Sequence, residues 1–137
     1  MNIHRFQLKN RNGMKKNLLE LMKMCDYFTP LESWLKYQIA NASDILYAIH
    51  DEKVLGYAIA NKQPKYMEIE LICVGEEGRA MRGIGAKLMK EVEAITKQYG
   101  LSTIQLDSQF QAEGFYKKLN YVEVKRNEYG VTMKKEI

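Results

Sequence analysis

The chain has 137 residues, 46% of them hydrophobic, and a formal net charge of +4. That is one ordinary domain, too short for two and too apolar for a disordered chain. No apolar run is long enough to span a membrane, and residues 1–9 are too polar for a secretory signal, so the expected location is the cytoplasm.

In chain order, residues 3–8 read as a first strand, and residues 13–25 have helical spacing with Leu18, Leu21, Met22 and Cys25 on one face. Thr29-Pro30-Leu31-Glu32 opens a second helix, with Thr29 capping, Pro30 in the first turn and Glu32 closing a capping box. Leu31, Trp34, Leu35, Gln38 and Ile39 form its stripe. The period then changes. Residues 44–49 read as a strand, Asp51-Glu52-Lys53 as a turn and residues 54–60 as the returning strand of a hairpin. Residues 66–74 read as a third strand of this group, followed by a loop at Gly75-Glu76-Glu77-Gly78. A long helix starts at Gly83, turns Leu88, Val92, Ile95 and Tyr99 inward and stops at Gly100. Residues 103–106 read as a short strand, and Ser108 with Gln111 frames a capping box that opens a helix to about Leu119. Residues 121–124 and 129–133 close the chain as a strand pair. The order β-α-α-β-β-β-α-β-α-β-β predicts a single-domain α/β (α+β) fold over residues 1–137, a mixed, mostly antiparallel sheet of six to seven strands with helices on both faces.

Cys25 and Cys73 lie in apolar stretches and read as buried, reduced thiols. His4 and His50 do not join them in any ligand spacing, so no metal is expected. Basic residues are scattered in pairs (Lys15-Lys16, Lys117-Lys118, Lys134-Lys135), which is a solvated surface rather than the dense stripe that nucleic acid requires. The modest positive balance suits an anionic ligand.

Arg82-Gly83-Ile84-Gly85-Ala86 concentrates the chemistry. Two glycines at the first turn of a helix let a ligand approach the backbone, and the first amides of that helix have no internal partner. With the positive end of the helix dipole behind them, and with Arg79 and Arg82 adjacent, they form a ready site for a phosphate or pyrophosphate. Position 88 is Leu, so the dinucleotide fingerprint lacks its third glycine, and no Gly-Lys-Ser/Thr is present for a P-loop. An oxidoreductase is disfavoured.

About thirty residues downstream, Ala112-x-x-Phe115-Tyr116-x-Lys118-Leu119-Asn120-Tyr121 resembles the A-x-x-FY-x-K-x-G-F/Y segment of the GNAT superfamily of N-acetyltransferases. Gly83-Ile84-Gly85 is similar to the second half of that family's Q/R-x-x-G-x-G/A loop, residues 68–74 look like its fourth strand, and Gly130-Val131-Thr132-Met133-Lys134 looks like its last. The resemblance covers roughly residue 66 to the C-terminus. Two departures stand out: the Q/R position falls on Ala80, with Arg79 one residue early, and Asn120 replaces the usual Gly.

The resemblance implies transfer of an acetyl group from acetyl-CoA to an amine by direct attack, without a covalent acyl-enzyme and without a metal. It places the acetyl-CoA-binding core at 66–121 and acceptor-shaping helices within 1–43. The backbone of Ile72, Cys73 and Val74 would pair with the cofactor's pantetheine arm between splayed fourth and fifth strands. Arg79, Ala80, Arg82, Gly83, Ile84, Gly85 and Ala86 would form the pyrophosphate loop, and Gln109, Phe115, Tyr116 and Lys118 would complete the cofactor site. Tyr116 would protonate the departing thiolate. An alkyl amine, with a pKa of about 10, must lose a proton before attack, and Glu70 or Glu68 would take it. Asp107 is a third candidate, with a capping or loop role as its plainer reading. For Glu68 the polar face of the strand is the plainer reading, for Glu70 the two readings weigh evenly, and for Tyr116 the surrounding motif favours the functional role over that of a packing aromatic. Phe28, Trp34 and Tyr37 are candidates for the acceptor wall. The acceptor would be a small-molecule or protein amine, with a homodimer left open, no membrane and nucleic acid disfavoured. The competing reading is a non-catalytic acyl-CoA-binding module of the same fold.

Overall fold

The computed structural model describes residues 2–6 and 32–137. Among these residues seven strands form one sheet: β1 (Asn2–Phe6), β2 (Asp44–His50), β3 (Lys53–Lys62), β4 (Met67–Val74), β5 (Thr103–Ser108), β6 (Val122–Arg126) and β7 (Val131–Glu136). Their spatial order is β1-β2-β3-β4-β5-β7-β6, and all neighbours are antiparallel except β4 and β5. The helices are α1 (Glu32–Asn41), α2 (Glu76–Met81), α3 (Ile84–Gln98) and α4 (Glu113–Lys118), with a 3₁₀ turn at Phe110–Ala112 before α4. The mixed, mostly antiparallel sheet has the strand number expected.

Each face of the sheet carries its own core. On one face α3 buries Ile84, Leu88, Met89, Val92 and Ile95 against Leu46, Ala58, Ala60, Met67, Ile69, Ile104 and Leu106. On the other, Leu35 of α1, flanked by Trp34 and Ile39, packs on Ile45, Tyr57, Ile59, Leu71 and Cys73. Burying this apolar area is the main stabilisation of the fold, and α3 turns its 3.6-residue stripe inward for that reason. The helix stops where Gly100 takes φ +78°, a conformation that costs a glycine little. The β2–β3 hairpin turns on Asp51 and Glu52 with φ +49° and +65°, the handedness that matches strand twist.

Three readings need correction. The segment after β4 is not a plain loop but contains α2. Gly78 is tolerated in it because a β-carbon there would lie 2.8 Å from Val74 Cγ1 and 3.0 Å from the Leu55 carbonyl; close packing outweighs glycine's poor helix propensity. Ser108 does not cap a helix: its Oγ donates 2.8 Å to the Gln109 carbonyl, and α4 begins at Glu113 with no side-chain cap. Cys73 is not a reduced thiol but is disulfide-bonded. Cys25 lies outside the described residues, as do the helix expected over 13–25 and Phe28.

Candidate active site

The site begins with an irregularity in β4. Ile59 pairs with Leu71 and Ala60 with Ile69, so Glu70 stands between them opposite no residue of β3. Such a bulge re-aims side chains and bends the strand. Met67 and Ile69 enter the α3-side core before it, whereas Leu71 and Cys73 enter the α1-side core after it. Ile72 and Val74 thereby turn toward α3.

The bulge falls where β4 parts from β5. Their parallel pairing is limited to Met67–Ile104, Glu68–Gln105 and Ile69–Leu106. Beyond it β5 continues to pair with β7 as far as Ser108, and β4 runs on from Glu70 to Val74 without pairing with β5. Two cavities fill the gap. One, of about 340 Å³, is lined by Ile72 and Val74 of β4, by Gly78, Arg79, Arg82, Gly83, Ile84 and Gly85 around the start of α3, and by Gln111, Ala112, Phe115 and Tyr116. The other, of about 130 Å³, continues between the strands to Glu70, Asp107, Ser108 and Gln109. Ile72, Ala112 and Tyr116 line both. Tyr116 is 9% exposed and is held edge-on by Phe115 and Tyr121, with ring centroids 5.0 and 5.9 Å away.

The start of α3 is built for an anion. Gly83 is its cap, in the left-handed region at φ +79°, and among the described residues no side chain caps the helix; its first turn carries no acidic group. The first backbone bond of the turn runs from the Lys87 amide to the Gly83 carbonyl, so the amides before it have no helical acceptor. Arg82 sits at φ +57°, ψ +148°, a region nearly reserved for glycine that costs on the order of 1–3 kcal/mol. Strain at that point buys nothing for the core, because Arg82 is exposed.

Three carboxylates gather at the other end. Gln63 Nε2 donates to Glu68 at 3.4 Å, Asn61 Nδ2 to Glu70 at 3.3 Å and Thr132 Oγ1 to Asp107 at 2.6 Å. Burial, then the negative charges of Glu70 and Asp107, push the Glu68 carboxyl above the usual carboxylate range.

Of the residues singled out from sequence, Ile72, Val74, Arg79, Arg82, Gly83, Ile84, Gly85, Phe115 and Tyr116 converge on the larger cavity, and Glu70 and Gln109 on the smaller. Cys73 points its side chain into the α1-side core. Ala80 and Lys118 are exposed and line neither cavity, and Ala86 lies half-buried in the first turn of α3. Trp34 packs on the core, whereas Tyr37 is 63% exposed. Gly78, Gln111 and Ala112 also line the larger cavity; Ala112 is the first residue of the segment that carries the family resemblance, and Gln111 directly precedes it.

Residues 15–121 match the Acetyltransferase (GNAT) family. The chain belongs to that family. The Bacillus subtilis N-acetyltransferase YjcF is 30% identical over 67% of this chain and 65% of its own length. The B. subtilis protein YyaT is 33% identical over 53% of this chain and 48% of its own. The matched stretch thus spans less than two thirds of these relatives. Among solved structures, the ribosomal-protein-S18-alanine N-acetyltransferase of Escherichia coli has a TM-score of 0.84 at 15% identity, covering 99% of this chain and 93% of that one. The PaiA N-acetyltransferase of Thermoplasma acidophilum in complex with coenzyme A has a TM-score of 0.75 at 17% identity, covering 100% of both chains. The GNAT fold is therefore present over the described residues, of which no helix is long and apolar enough to cross a membrane.

Proposed function

We propose that this protein transfers an acetyl group from acetyl-CoA to a primary amine by direct attack of the amine on the thioester. The observation that carries the reading is the parting of β4 from β5 after Ile69 and Leu106, which opens one continuous cleft from the glycine turn of α3 to a group of carboxylates. A linear cofactor with an anionic end and a reactive thioester end matches that polarity.

The amides of Ile84, Gly85 and Ala86, at the positive end of α3, would hold the pyrophosphate, with Arg79 and Arg82 adding charge. The edge of β4 at Ile72, Cys73 and Val74, beyond its pairing with β5, would hydrogen-bond the pantetheine amides as an added strand does. One of these strand amides would polarise the thioester carbonyl. As the C–N bond forms and the C–S bond breaks, the amine loses a proton and the thiolate gains one. Glu70, in the cleft, would receive the first, and Tyr116, at the junction of the cavities, would supply the second. Glu68 and Asp107 add negative charge, which favours an acceptor that arrives as an ammonium ion. Residues 66–121 are on this reading the acetyl-CoA core, and α1 shapes the acceptor side.

Calorimetric titration with acetyl-CoA, with NADH and ATP as controls, followed by a turnover assay against an amine panel, tests the proposal. Selective binding and turnover support it. No acetyl-CoA binding by the folded protein overturns it, and binding without turnover of any amine favours a non-catalytic acyl-CoA-binding module.

A further inference from the structure

Asn61, at the end of β3, makes three hydrogen bonds, to α1, to β4 and to the loop between α1 and β2. Its Oδ1 accepts from the Ser43 amide at 3.1 Å, and its Nδ2 donates to Gln38 Oε1 at 2.9 Å and to Glu70 Oε1 at 3.3 Å. The backbone amide of Ser43 can only donate, so it dictates which end of the Asn61 side chain is the carbonyl and therefore that both NH₂ hydrogens face Gln38 and Glu70. Gln38 is 6% exposed and projects from α1. Ser43 is itself fixed, its Oγ donating 3.1 Å to the Ala60 carbonyl and accepting 2.8 Å from the Lys62 amide. The bridge is thus anchored on its structural side by a closed set of bonds and reaches out to one cleft residue.

The bulge makes such a bridge necessary. Glu70 stands opposite no residue of β3, so the ladder does not fix its side chain, and a Glu carries three side-chain torsions to be ordered. We propose that Asn61 is the positioning residue of the acetyl transfer: its amide holds Glu70 Oε1 so that Oε2 faces the acceptor nitrogen. Among the described residues no side chain bonds Oε2. The inference rests on the reading of Glu70 as the base. The acetyl-CoA end of the cleft, lined by α3 and α4, is not touched by the bridge, so its loss changes the chemical step and not cofactor binding.

The test compares Asn61→Ala, Asn61→Asp, Glu70→Gln and the Asn61→Ala/Glu70→Gln pair by kcat, KM for acetyl-CoA and the pH profile of kcat. Asn61→Ala is expected to lower kcat roughly tenfold or more, a part of the 10²–10⁴ that a positioned base contributes, with KM for acetyl-CoA unchanged. In the Glu70→Gln background the same substitution is expected to cost little further, because the two groups act as one unit. Asn61→Asp keeps the acceptor that Ser43 needs, and Gln38 can turn its own amide to donate, so the fold survives if Asn61→Ala does not. Its new carboxylate replaces the amide donor 3.3 Å from Glu70 Oε1 with a second negative charge, so the acid limb of the kcat profile moves to higher pH than in the unsubstituted protein. An equal loss from Asn61→Ala with and without Glu70, or an acid limb that stays in place in Asn61→Asp, overturns the inference alone. A Glu70→Gln variant with full activity instead overturns the reading of Glu70 as base, and the positioning role with it.

Discussion

The Phe115 ring occupies the space in which a side chain at Gly85 would begin: its Cζ lies 3.0 Å and its Cε1 3.2 Å from the position of a β-carbon there. Gly83, two residues earlier, has open space around it and is glycine for its φ of +79° instead. The two glycines of the turn thus answer different constraints, one of packing across the cleft and one of backbone conformation. Gly85→Val must displace the ring into the cavity that it lines or shift α3. Overpacking of this kind costs about 1–3 kcal/mol, so acetyl-CoA affinity is expected to weaken at least about tenfold by calorimetry. Unchanged affinity would remove this turn from the cofactor site.

Tyr116 lines both cavities, and its ring is held by Phe115 and Tyr121. Tyr116→Phe preserves those ring contacts and removes only the hydroxyl. Turnover is expected to fall on the order of 100-fold while KM for acetyl-CoA changes little, the pattern of a group that acts in the transition state. A normal kcat would leave Tyr116 a packing residue.

Glu68 gives a pH prediction with a definite sign. Burial and the charges of Glu70 and Asp107 raise its pKa in the folded state. The folded protein therefore binds that proton more readily than the unfolded chain, and stability rises as pH falls through the raised value. Above it, the ionised carboxylate is a net cost; below the unfolded value of about 4.3 the cost is gone. Glu68→Gln is expected to raise the melting temperature at neutral pH, with the difference closing on acidification. A gain that persists undiminished at low pH would show that repulsion is not its origin.

The helices and strands that carry large periodic stripes were legible in the chain, as α3 shows: Leu88, Val92 and Ile95 face the core as their spacing requires. The family segment around Phe115 and Tyr116 and the glycine turn were legible too, because local backbone chemistry sets both. What stayed hidden depends on partners distant in sequence. Burial along β4 alternates without interruption from Met67 to Val74, yet the strand changes faces at Glu70, and only its pairing with β3 reveals this. Asn61 carried no motif; its role follows from Ser43, Gln38 and Glu70 meeting around it. The disulfide state of Cys73 and the helix through Gly78 are hidden for the same reason, since apolar neighbours and glycine spacing describe the local chain and not the contacts across the fold.

Tyr121 supplies a test of packing behind the site. It is 2% exposed, and among the described residues its hydroxyl has no hydrogen-bond partner. Burial pushes its phenol above the usual range. Lys135, ion-paired with Glu93 at 2.6 Å, lies 5.8 Å from the centroid of the ring and interacts with its face rather than with the hydroxyl. A buried hydroxyl that gives up water without a partner costs about 1–3 kcal/mol, whereas the ring contacts to Tyr116 and Lys135 survive its removal. Tyr121→Phe is therefore expected to stabilise the protein by about 1 kcal/mol, a rise of roughly 3 °C in melting temperature for a chain of this size. With the ring in place, Tyr116 keeps its wall and kcat is expected to hold. A fall in melting temperature would mean that the hydroxyl is hydrogen-bonded in solution, and a fall in kcat at unchanged stability would mean that it acts on the chemistry through Tyr116.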